Sequence, residues 1–213
     1  MHAEQWPGRM MVGLAAICVA AVLGGFVVRP PEPDPLPQRW QLDLEVGPMR
    51  IATLDVAELG PQPFFYLTYR VTNNSGEDLQ FAPSFDLGNE DGDVVRGGVD
   101  VPREVRQKLL ALLDNPLLED QIEIIGPLLQ GRENAKDGLV IWPAVDLDAD
   151  ELVLYASGFS GETQVVSFTD PETDEVTEIT FRKTYMVRYD TPGSLAARGS
   201  RPLEIDSQRW IMR

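Results

Sequence analysis

Histidine and cysteine are almost missing. The 213 residues contain one of each, His2 and Cys18. Beyond residue 18 there is no imidazole and no thiol. A Ser-His-Asp triad, a Cys-His nucleophile pair and a zinc site built from the usual nitrogen and sulfur ligands are excluded from that region. So is a disulfide within it. Positive charge is scarce as well. The chain carries 18 Lys and Arg against 34 Asp and Glu, a net charge of −16, and its lysines are Lys108, Lys136 and Lys183 alone. Such a surface repels nucleic acid and anionic lipid head groups, so no nucleic-acid partner is expected. No internal repeat is visible.

Long apolar runs are absent with one exception. Met10 to Val28 is free of charge over 19 residues, bracketed by Arg9 and Arg29. As a helix it would span about 28 Å, close to the hydrocarbon thickness of a bilayer, and it lacks the polar face of a surface helix. Signal peptidase sites would place Val22 and Gly24, or Val19 and Ala21, at the small-residue positions; neither pair is an A-x-A site, and the run continues past both. Cys18 follows Ile17 rather than the small residue that lipoprotein processing needs. A retained anchor is therefore expected over residues 10–28, with a cleaved leader as the alternative. The short tail, residues 1–9, points to a cytoplasmic N-terminus with the remainder outside the membrane, although each flank carries one arginine. Ala16, Ala20 and Gly24 lie four apart, a spacing that lets two anchor helices approach closely and dimerise.

Residues 29–37 hold five prolines between Pro30 and Pro37, a polyproline-like, semi-rigid spacer. Residues 38–213 then suffice for one domain. Its texture is that of strands. "WQLDLEV" alternates Trp40, Leu42, Leu44 and Val46 on one face. "MRIATLDV", "FFYLTYRVT", "LQFAPSFDL", "GLVIWP", "ELVLYASG", "TQVVSFTD", "VTEITFRKTYMVRYD" and "QRWIMR" follow, rich in β-branched and aromatic residues. They are separated by turn clusters such as Asn73–Gly76, Asn89–Asp93 and Asp170–Asp174. Pro83 marks an edge or a bulge. Between residues 102 and 130 the periodicity changes. Pro102 and Pro116 suit first-turn positions, with Asp100 and Asn115 as caps. The first helix would present Val105, Leu109, Leu112 and Leu113, and the second Leu118, Ile122 and Ile125. The expected fold is mainly β: a β-sandwich of eight to ten strands with a short two-helix insertion, preceded by one transmembrane helix.

The stretch "FFYLTYRVTNNSGEDLQFAPSFDLGNEDGDVV" pairs an alternating strand ending in Asn-Asn-Ser-Gly with a second strand leading into an Asp-Gly hairpin. It resembles the bacterial extracytoplasmic immunoglobulin-like domains that follow a single anchor and a proline linker. The resemblance implies that its two halves are neighbouring strands of a sandwich, and that the domain binds or scaffolds. It implies no catalytic residue.

Candidate sites are few. Asp146, Asp148 and Asp150 alternate in "AVDLDADELVL" and offer hard-cation ligands, but an EF-hand alignment puts Glu151 at the glycine position and Ser157 at the final glutamate. A solvated acidic turn is the plainer reading. Asp91-Gly92 aligned the same way starts on Leu87 and reads as a hairpin. "SGFSGE" approaches the nucleophile elbow at Gly158 and Ser160, yet Glu162 stands where the last glycine belongs and no histidine is present to activate the serine. Nothing pairs a serine with any of the three lysines. A two-carboxylate glycosidase needs only acids, and Trp40, Trp142 and Trp210 are the indoles left for sugar stacking; the core is a better use for them. No cofactor and no catalytic residue is expected.

The leading expectation is a non-enzymatic, membrane-anchored module that binds or scaffolds another envelope protein. The alternatives are a small-ligand, glycan or calcium-binding module and, behind it, an acid-pair hydrolase. The partner site is placed on the insertion. From Leu109 to Leu129, 11 of 21 residues are Leu or Ile, more than one helix face needs, and Leu110, Leu117 and Ile124 are the candidates for an open apolar face. The competing reading is that these helices plug one end of the core.

Overall fold

The computed structural model describes residues 40–169 and 175–213. The expected tail, anchor and spacer, Ala16, Ala20 and Gly24, and the turn after Thr169 lie outside the described residues. In chain order the strands are β1 (Asp43–Val46), β2 (Arg50–Val56), β3 (Gly60–Thr72), β4 (Leu79–Phe81), β5 (Ser84–Asn89) and β6 (Val94–Arg96). Helix α1 (Arg103–Leu113) comes next, then β7 (Leu118–Asp120), β8 (Gly126–Leu128), β9 (Lys136–Pro143), β10 (Glu151–Ser157), β11 (Thr163–Thr169), β12 (Val176–Asp190) and β13 (Glu204–Met212). The chain is mainly β, as its alternation predicts.

One sheet is built on β3. Its first edge pairs with β2 and then β1, and its other edge with β9, which takes β7 in parallel. The second sheet runs β13, β12, β10, β5, β6, with β11 also on β12. Small β4 pairs with β8. The strand expected from Leu79 to Leu87 is two strands: the chain leaves the β4–β8 pair at Ala82-Pro83 and enters the second sheet as β5. Proline has no N–H for a ladder, so the break falls where it stands. Accordingly β3 and β5, from the two halves of the stretch at residues 64–95, belong to different sheets.

Alternation on β3 sorts two cores. Phe65, Leu67, Tyr69 and Val71 meet Val140 and Trp142 of β9, Phe85 and Leu87 of β5, Leu152 and Leu154 of β10, and Val187 and Tyr189 of β12 in one buried cluster. Phe64 and Tyr66 point the other way, with Leu139 and Ile141, and receive Val105 and Leu109 of α1. Strands buried on both faces read as continuous apolar runs, which is how "FFYLTY" and "GLVIW" look. The helix therefore lies on the outer face of the first sheet and does not plug an end of the core.

The second expected helix does not form. Asn115 Oδ1 accepts the Leu117 N–H at 3.0 Å, β7 adds to β9, and the Asp120 Oδ1 accepts the N–H groups of Ile122 and Glu123 at 2.8 and 2.9 Å. A carboxylate that captures nearby amides offers the backbone an alternative to helix, and Gly126-Pro127 then commits the chain to β8. The apolar spacing was real but of another origin. Leu118, Ile124 and Leu128 are buried, while Ile122 and Ile125 face outward.

Candidate functional site

The three positions proposed for a partner face are not brought together. Ile124 is fully buried, against the expectation of an open position, because the turn after Asp120 drives it into the core with Leu128. Leu110 is partly covered, packed against the α1–β3 cluster. Leu117 is 71% exposed. Exposed apolar side chains do gather along this segment: Leu112 at the end of α1, Leu117, then Ile122, Ile125 and Leu129. Their backbone is firmly held. Arg106 reaches the Asp120 carboxylate at 3.2 Å from α1, and Lys136 of β9 reaches Glu119 at 3.2 Å and the Ile124 carbonyl at 3.3 Å.

Beside this segment lies a cleft of about 420 Å³, which the residue pattern did not foretell. Its floor is a row across the first sheet. Glu45 of β1 stands opposite Arg70 of β3, Arg70 opposite Asp137 of β9, and Asp137 opposite Leu118 of β7. Leu113 and Asn115 close one wall, and Val46, Gly47, Thr68 and Tyr69 also line the cleft. Arg70 forks onto Asp137 through Nε at 2.7 Å and a terminal nitrogen at 2.9 Å. Bidentate pairing of this kind is the strong form of the interaction. The Arg70 hydrogen bond holds the Asp137 carboxyl below its ordinary range, and Asp137 in turn raises the guanidinium. Below the sheet, Gly138 leaves room for the Tyr69 ring, whose carbons would lie 2.3 Å from a Cβ at that position. Burial pushes the Tyr69 hydroxyl well above its ordinary value, with the Glu119 charge adding to it.

The two acidic loops weighed as cation sites, around Asn89–Asp93 and Asp146–Asp150, meet. Asn89 donates to Asp146 at 3.3 Å, and the Glu90 carboxylate accepts the N–H groups of Asp150 and Glu151 at 2.9 and 3.3 Å. The hydrogen bond from Asp150 is the main reason Glu90 titrates below its ordinary value. Asp146 also accepts the Asp148 N–H at 3.0 Å. These carboxylates tie backbone to backbone. Among the described residues no group of three or more His, Cys, Asp or Glu side chains is arranged to hold a metal ion.

"SGFSGE" proves to be a clasp between the sheets. Gly158 has a φ of 88°, and a Cβ there would stand 2.7 Å from the Ala82 carbonyl oxygen. That conformation, open to glycine, turns Phe159 into the centre of an aromatic group with Tyr69, Phe81 and Phe85 at 5.8, 5.3 and 5.6 Å. The Ser160 hydroxyl donates to the Trp40 carbonyl at 3.0 Å. Gly161 N–H donates to the same carbonyl at 3.0 Å, and Leu42 N–H to the Phe159 carbonyl at 2.8 Å. Each lysine, for its part, reaches a carboxylate: Lys108 to Glu104, Lys136 to Glu119 and Lys183 to Glu162.

Taken with known proteins, the chain matches no family model, no curated protein and no solved structure.

Proposed function

We propose that this protein is a single-pass, membrane-anchored, non-enzymatic module that holds another envelope protein. In this reading residues 10–28 are the anchor, the N-terminus is cytoplasmic, and the β domain is an immunoglobulin-like sandwich outside the membrane. The observation that carries it is the apolar surface that runs from the end of α1 into the segment after it. Leu112, Leu117, Ile122, Ile125 and Leu129 stand exposed on a backbone fixed by ion pairs and strand pairing. Apolar surface gathered on a rigid segment marks an interaction site more often than isolated exposed residues do. Leu117→Asp and Ile122→Asp test it. The melting temperature should stay within about 2 °C, since neither side chain is in the core. A protein recovered with the wild-type chain from detergent-solubilised membranes should be lost with both variants. Retention of that protein by both would remove the reading.

A second reading rests on the cleft beside the segment. Its fixed Arg70–Asp137 floor and leucine wall suit a small, partly apolar ligand with hydrogen-bonding groups. Such a ligand would raise the melting temperature of the wild type but not of Asp137→Asn.

A further inference from the structure

A second cleft, of about 280 Å³, opens where the chain crosses from the first sheet to the second. The β3–β9 ladder ends with Phe64 opposite Pro143, and the Ala144 N–H on the Pro63 carbonyl is the last bond between the two strands. Residues 144–150 then carry the chain to β10 in the other sheet. That crossing loop bounds the cleft on one side, and the β5–β6 hairpin bounds it on the other. Asn89 ties the two together through Asp146, and Glu90 through the amides of Asp150 and Glu151. The walls are thus held in place by the fold itself.

The inside of the cleft is apolar. Phe65, Leu87 and Leu152 are buried members of the main core, and Val95 packs against it. Apolar surface continues outward, with Val94 51% and Val145 80% exposed. The charged groups are all of one sign. Asp93 and Asp146 join the lining beside Asn89, and among the described residues no lysine or arginine does. The bounding loops add Glu90, Asp91, Asp148 and Asp150. A cleft whose low-dielectric walls lie under charge of one sign focuses its field and concentrates the opposite charge.

Asp146 has capacity left for a ligand. Its carboxylate accepts one N–H from Asp148 at 3.0 Å and one from Asn89 at 3.3 Å. Both donors are neutral amides, and a carboxylate offers about four lone-pair sites. An ammonium would make the stronger, charge-assisted bond there. A bare hard cation needs more oxygen ligands than the carboxylates of the described residues converge to give, and an anion would be repelled.

We propose that this cleft binds a small amphiphilic amine. Its aromatic or aliphatic body lies against Phe65, Leu87, Val95 and Leu152. Its ammonium group reaches Asp146, with Asp93 adding attraction at the rim. The cleft shares no residue with the apolar surface proposed for a partner or with the Arg70–Asp137 cleft, so it stands or falls apart from both.

The probes are phenylpropylamine, phenylpropanol and phenylpropanoate, which share one body and differ in the charge of the head. Each is titrated calorimetrically into the full-length protein in detergent, with micelles alone as the blank. The amine should bind at least about tenfold more tightly than the alcohol, through its charge-assisted bond, and the carboxylate should not bind. Propylamine, which keeps the charge and loses the ring, should bind at least about tenfold more weakly than phenylpropylamine. Asp146→Asn keeps an oxygen for the Asp148 N–H. It should bring the amine down to the affinity of the alcohol with the melting temperature unchanged. Asp148→Asn, on the same loop but outside the lining, should bind the amine like the wild type, as should Asp137→Asn. Equal affinity for amine and alcohol overturns the proposal, and so does full amine binding by Asp146→Asn. A loss in Asp148→Asn as large as that in Asp146→Asn also overturns it, because the amine would then be responding to the acidic surface in general.

Discussion

At the scale of single residues, the side chains that look most reactive hold the backbone together. Ser160 spends its hydroxyl on the Trp40 carbonyl, and Phe159 beside it is the hub of the aromatic group. Phe159→Ala should cost about 3–5 kcal/mol in denaturant unfolding, whereas Ser160→Ala should cost about 1 kcal/mol. Asp137 carries a pH signature. Its folded carboxyl lies below the ordinary range because Arg70 donates to it, so the folded state binds that proton less readily than the unfolded chain. The stabilisation is complete above roughly pH 4 and fades as pH falls through the depressed value. Asp137→Asn should thus be less stable than wild type at neutral pH, with the gap closing in acid; a gap that stays constant to low pH would show that the pair contributes no charge-dependent stability. Neither role was legible from sequence. Arg70 and Asp137 lie 67 residues apart, and only the β3–β9 register makes them neighbours. The serine's neighbourhood did carry a sign in Gly158 and Gly161, whose missing side chains allow the turn and the approach of Trp40.

At the scale of elements, strands were read well and the insertion half well. Trp40, Leu42, Leu44 and Val46 do share the core face, and "GLVIWP" falls within β9. The hairpin at Asn89–Asp93 forms, with the Asn89 N–H on the Asp93 carbonyl at 3.1 Å. The failure after Asn115 has a definite cause: apolar residues at i, i+4 and i+7 look the same whether a helix or a strand–turn–strand presents them, and Asp120 tips the balance. That difference is measurable. Ile124→Asp should destabilise by roughly 3–5 kcal/mol, because a buried charge without a partner is costly, while Leu117→Asp should scarcely move the melting transition. Equal effects at the two positions would contradict the placement of this segment. Asp120→Ala should also loosen it, since two amides and Arg106 all bind that carboxylate.

At the scale of the whole molecule, the net charge of −16 and the proposed anchor together predict a protein that stays in the membrane pellet after carbonate washing, at its unprocessed mass. Recovery of a soluble fragment starting near residue 22 or 25 would show a cleaved leader instead. If the anchor holds, the molecule is also a tether, and the clasp acquires a mechanical meaning. Trp40, whose carbonyl is gripped by Ser160 and Gly161, precedes β1 in the chain. Tension transmitted from the membrane side would meet this grip before it reached the β1–β3 ladder, loading a short cross-sheet latch and leaving the Arg70–Asp137 row downstream unstrained at first. Pulled from residue 40 against the C-terminus, the domain should yield first at the latch, and Gly161→Ala, which crowds the Trp40 indole, should lower the force of that first event without lowering the main one.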